Sequence, residues 1–131
     1  MTGKSWKSGA CHCGAVRFEV RTSGRIHVED CNCSICAKTG YLHLIVNGED
    51  FRLLSGDENL AEYRFNTGTA RHLFCKTCGV KSFYVPRSHP DGYSVNLRCL
   101  NRDDFDEITI EQYDGQNWEA NIDGLRSKTD G

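Results

Sequence analysis

Seven of the eight cysteines in this 131-residue chain fall into three tight groups, and that grouping limits the fold more than any other feature. Cys11 and Cys13 form a C-x-C pair, Cys31, Cys33 and Cys36 a C-x-C-x2-C triplet, and Cys75 and Cys78 a C-x2-C pair. Such spacings bring sulfurs together from neighbouring turns. They rarely arise where cysteine serves only as a small packing residue. The first ten residues, MTGKSWKSGA, lack the apolar stretch of a secretory signal. The expectation is therefore a cytoplasmic, reducing compartment, where clustered thiols act as ligands or reactive groups rather than as disulfides.

Length and composition agree with a stapled fold. A chain of this size buries roughly two thirds of the surface that its unfolded form exposes, and 38% of the residues are hydrophobic, so a metal clasp would add materially to a modest core. One zinc-binding domain over 1–131 is expected, with a core over about 5–113 and a polar tail over 114–131. The formal charge of −2 gives no reason to expect a nucleic acid or an anionic membrane as partner. No apolar run approaches the ~20 residues of a membrane span.

Periodicity points to short strands. Val16, Phe18 and Val20 alternate with Arg17, Glu19 and Arg21, the pattern of a half-buried strand. Leu42, Leu44 and Val46 alternate likewise, with His43 and Ile45 on the other face. Further strands are expected near 5–9 and 51–54, and over 60–65 and 70–74 as a hairpin across Asn66-Thr67-Gly68. Phe83 and Val85 lie on a strand that Pro86 ends, followed by the turn Pro90-Asp91-Gly92. Strands are also expected over 93–100, containing Cys99, and over 108–113. Ser34 and Gly40 bracket a short helical turn, and Trp118 is placed to tack down part of the tail. The class is mainly β, with antiparallel strands and at most short helical turns.

The two outer pairs both end in Cys-Gly at strand ends. Gly14, directly after Cys13, permits the turn of positive φ that a zinc knuckle needs. Facing each other, Cys11, Cys13, Cys75 and Cys78 would close a tetrahedral S4 site, the usual structural zinc arrangement.

The central triplet has no fourth ligand nearby in sequence. Three protein ligands with an open position is how zinc is held for chemistry. Three thiolates donate much charge, so this metal would activate water weakly. It suits capture of an external thiol, which it would deprotonate into a bound nucleophile. The other arrangement is a closed site completed from a distance by Cys99, His43 or His12. For Cys99 a buried strand position fits better, for His43 an ordinary hydrogen bond, and for His12 solvent. His27, His72 and His89 have no motif context. No phosphate loop, GxGxxG or Ser-His-Asp order is present.

With these residues in place, the chain resembles the family of glutathione-dependent formaldehyde-activating enzymes and centromere protein V. The likeness runs through GACHCGAVRFEV, CNCSICAKTGYLHLIV, FCKTCGVKSFYVPRSHPDGYSVNLRCL and DGQNWE. It implies a zinc-containing β-tent fold. It also implies a structural zinc on Cys11, Cys13, Cys75 and Cys78, and a second, catalytic zinc on Cys31, Cys33 and Cys36. The implied activity is that of a carbon–sulfur lyase, forming or cleaving S-hydroxymethylglutathione. Glutathione is the implied thiol partner, with Lys38 or Arg17 as candidate cations for its carboxylates. The other readings are a zinc-binding module without turnover and a thiol redox sensor.

Overall fold

The computed structural model describes residues 3–32, 34–64, 71–86 and 91–113. The Asn66-Thr67-Gly68 turn, Cys33, His89, the side chain of Ser34 and the tail with Trp118 lie outside the described residues. The protein is mainly β. Its strands are β1 (Ser5–Ala10), β2 (Arg17–Thr22), β3 (Arg25–Cys31), β4 (Leu42–Asn47), β5 (Phe51–Ser55), β6 (Leu60–Tyr63), β7 (Arg71–Cys75), β8 (Phe83–Val85), β9 (Gly92–Asn96) and β10 (Glu107–Tyr113). Among the described residues one α-helix, α1 (Ser34–Thr39), interrupts them between β3 and β4.

Two sheets form. The smaller has the order β1-β2-β5 and the larger β10-β3-β4-β9-β8-β7-β6. The expected hairpin partners, β6 and β7, do pair antiparallel, with Leu60 opposite Cys75. One pairing departs from the antiparallel expectation: β10 runs parallel to β3, with Tyr113 opposite Cys31. A strand's own alternation carries no information about the direction of its neighbour. A second departure concerns residues 93–100. Strand β9 stops at Asn96, and Leu97–Cys99 form a 3-10 turn. The Asn96 side chain causes the stop by accepting from the Arg98 N–H at 3.1 Å while donating to the Lys81 carbonyl at 3.0 Å.

The core lies between the sheets. Phe18 from the small sheet meets Phe51 at 5.8 Å and Phe83 of the large sheet at 6.2 Å between ring centroids. Val16, Val20, Ile26, Val28, Leu44, Val46 and Val95 surround them. Replacing Phe18 by Ala is expected to cost about 3–5 kcal/mol, read as a lower denaturant midpoint. An unchanged midpoint would mean that the two sheets do not depend on this contact.

Alternation then decides what the other face of the large sheet carries. Ile26 and Val28 point to the core, so His27, Glu29 and Cys31 take the opposite face of β3. Leu42, Leu44 and Val46 point to the core, so His43 and Ile45 take the opposite face of β4. Register completes the arrangement, because His43 lies between Glu29 on β3 and Asn96 on β9. All five residues Leu42–Val46 are buried, as a central strand covered on both faces requires.

Candidate metal centres

The four outer cysteines converge. One sulfur each from Cys11, Cys13, Cys75 and Cys78 lies within 4.8 Å of all the others. The Cys11–Cys13 and Cys13–Cys75 sulfurs are 3.7 and 3.6 Å apart. That is far beyond a disulfide bond of about 2.05 Å. It matches the edge of roughly 3.8 Å that four Zn–S bonds of about 2.3 Å define in a tetrahedron.

The two knuckles are built alike despite their different spacing. In each, the first cysteine's N–H donates to the carbonyl five residues on, Cys11 to Val16 and Cys75 to Val80, both at 3.1 Å. In each, a glycine of positive φ follows the second cysteine, Gly14 at 81° and Gly79 at 75°. Polar hydrogens are aimed at the sulfurs: the Val16 N–H reaches Cys11 Sγ at 3.4 Å, and the Asn59 amide reaches Cys75 Sγ at 3.2 Å.

Electrostatics fit a dication at this centre. The Cys13 backbone N–H holds the Cys78 thiol down to about 6, against some burial, with help from Val80 N–H, Cys11 and Cys75. Backbone N–H groups of Cys78 and then Thr77 lower Cys75 as well, although burial opposes them. For Cys13 the Ala15 N–H favours the thiolate, but burial and the hydrogen bonds of Cys75, Cys11 and Cys78 prevail and push it up to about 11. Sulfurs packed this closely divide their protons because like charges repel, and a bound Zn²⁺ would remove that repulsion.

The second group is Cys31, Cys36 and His43, whose donor atoms lie within 4.8 Å of one another. Cys31 is the last residue of β3, Cys36 sits in α1, and His43 is on β4. His43 Nε2 lies 3.0 Å from Cys36 Sγ, while Nδ1 meets Ser94 Oγ at 2.9 Å and Tyr84 Oη at 3.1 Å. The rings of Tyr41 and Tyr84 flank the imidazole at 4.6 and 5.6 Å between centroids. The Tyr41 hydroxyl donates to the Ser94 carbonyl, and burial, opposed by that bond, keeps it well above the usual phenol range.

Beyond this wall Lys81 is buried, with its ammonium 4.0 Å from the centre of the Tyr84 ring, 4.9 Å from that of Tyr41 and 2.7 Å from His72 Nδ1. Sequence alone gave no reason to single out Lys81, His72, Tyr84 or Ser94. His72, Tyr84 and Ser94 meet because adjacent strands put them in register, Ser94 opposite Tyr84 and Tyr84 opposite His72, and Lys81 joins them from the segment that precedes β8.

Cys99 does not join the second group. It sits half-buried in the 3-10 turn, on the clasp's side of the molecule, where burial raises its thiol and Cys11 and Cys78 are its charged neighbours. His12 is exposed, as expected. His27 meets Glu29 at 2.9 Å and Glu111 at 3.7 Å, a third close group in which Glu111 is exposed. A cleft of about 660 Å³ beside the clasp is lined by His12, Arg17, Leu54, Arg98 and Cys99. Arg98 Nε donates to the Gly40 carbonyl at 2.8 Å, which ties this cleft to the end of α1. Lys38 is exposed in the last turn of α1.

A Halomonas elongata protein described as a putative glutathione-dependent formaldehyde-activating enzyme is 35% identical over 78 residues, which is 53% of this chain and 50% of that protein. The chain thus spans about half the length of the curated relative that it matches. A crystal structure of a Rhodobacter sphaeroides protein superposes with a TM-score of 0.68 at 39% identity, covering 79% of this chain and 99% of that one. The family model described as glutathione-dependent formaldehyde-activating enzyme matches residues 6–116, a span holding all three cysteine groups, and the chain belongs to that family.

Proposed function

We propose that the protein is a carbon–sulfur lyase that forms or cleaves the adduct of glutathione and formaldehyde, S-hydroxymethylglutathione, at Cys31, Cys33 and Cys36. The observation that carries this reading is the convergence of Cys31, Cys36 and His43 on one face of the large sheet, apart from the four-sulfur clasp. A zinc ion held by the three cysteines would supply a position where an incoming thiol ionises and stays nucleophilic. The residues around it suit a thiol better than water. The thiolate ligands weaken the metal as a Lewis acid, and the walls are the rings of Tyr41, Tyr84 and His43.

Carbon–sulfur bond formation then asks little of the protein beyond holding the sulfur and the aldehyde together. Lys38, Arg17 and Arg98 offer exposed cations for the two carboxylates of glutathione. The clasp of Cys11, Cys13, Cys75 and Cys78 serves as the structural zinc site, and the whole forms one domain that works in the cytoplasm.

The test is direct. With glutathione and formaldehyde supplied, adduct formation is expected to exceed the spontaneous rate in proportion to enzyme. A rate no faster than the uncatalysed one, in protein holding two zinc equivalents, favours a zinc-binding module without turnover. The buried contact between His43 and Cys36 is the feature that would support that second reading.

A further inference from the structure

Two cysteines of the central triplet, Cys31 and Cys36, meet a histidine from the following strand. We propose that His43 is a ligand of the second metal at rest and gives up its place to the incoming thiol, an inference that rests on the functional reading above. One ring nitrogen of His43, Cys31 Sγ and Cys36 Sγ lie within 4.8 Å of one another. Bond lengths of about 2.3 Å to sulfur and 2.0–2.1 Å to nitrogen put N and S ligands of one tetrahedral zinc roughly 3.5 Å apart. Nε2 and the Cys36 sulfur at 3.0 Å reach that separation with about half an ångström of opening.

The rest of the imidazole is held as metal-bound histidines are held. Its other nitrogen meets the hydroxyls of Ser94 and Tyr84. Either oxygen can accept Nδ1–H and so leave the Nε2 lone pair for the ion. Tyr41 and Tyr84 fix the ring plane, and 5% exposure shows that the ring is not a solvent-facing group that arrives by chance. Strand register makes the placement stiff, because β4 is hydrogen-bonded on both sides, to β3 and to β9. An imidazole is neutral and a thiolate is not. A thiol entering as thiolate therefore competes with His43 for the position, while Cys31 and Cys36 stay bound.

Cadmium takes the place of zinc in thiolate sites and reports its ligands through scalar coupling. Full-length protein is loaded with spin-active cadmium and grown on nitrogen-labelled histidine. Two cadmium resonances are expected, one of them split by a single histidine nitrogen. That splitting is expected to vanish in His43→Ala and, in the wild type, under saturating glutathione, with the resonance itself retained. Should His43→Ala fail to fold, His43→Gln removes the same imidazole and serves for assignment. Two resonances with no histidine coupling overturn the proposal and leave the functional reading standing, since sulfur ligands alone would then hold the ion. A splitting that persists under saturating glutathione overturns the exchange. A single bound cadmium overturns the proposal and the functional reading together.

Discussion

Stripping metal from the four-sulfur clasp is expected to unfold the protein. Cys11 and Cys13 follow β1 of the small sheet, and Cys75 ends β7 of the large one, so the clasp joins the two sheets at the edge of their shared core. Structural zinc contributes on the order of 10–16 kcal/mol in small zinc-finger peptides, whereas a whole domain is usually stable by only about 5–15 kcal/mol. Without the ion, sulfurs 3.6–3.7 Å apart either repel as thiolates or are buried as weakly bonded thiols. Far-UV circular dichroism during chelation, with zinc counted in parallel, is the measurement. The β signal should collapse as the last zinc equivalent leaves and return when zinc is restored. Cys75→Ser, at a position 1% exposed, should behave as the chelated protein does. A cooperative unfolding transition of unchanged midpoint in metal-free protein would show that the core holds without the clasp.

Cys36→Ala is expected to have the opposite profile, with catalysis lost and the fold kept. The side chain is buried at 4% exposure, yet it lies on α1 outside the aromatic core, and its removal takes away one small sulfur. A stability cost of about 1 kcal/mol is expected. On the proposed function, the variant should bind one zinc equivalent fewer than the wild type, and adduct formation should fall to the spontaneous rate. Complete unfolding of this variant would make the second centre structural. A variant that keeps wild-type turnover would remove the triplet from the chemistry.

Much of this was legible in the residues themselves. The outer cysteine pairs, each followed by glycine, do face each other, and the two knuckles share one hydrogen-bonding pattern. The alternation of Leu42, Leu44 and Val46 correctly put His43 on the face away from the core. What it left undecided was whether anything there would meet His43. That depends on Cys31 at the end of β3, Cys36 in the intervening helix, and Ser94 and Tyr84 on strands far along the chain. The strand expected over 93–100 ended early because Asn96 bonds across to Lys81, a partner that no local pattern reveals. The parallel pairing of β10 with β3 was equally invisible.

By itself the sequence determined which residues can ligate and which face of each strand is apolar. Both follow from side-chain chemistry and from the two-residue period of an extended chain. Only the tertiary structure decided which strands are neighbours and in what register. Those choices come from packing between segments distant in sequence, and a shift of one residue in β4 would turn His43 into the core and away from Cys36.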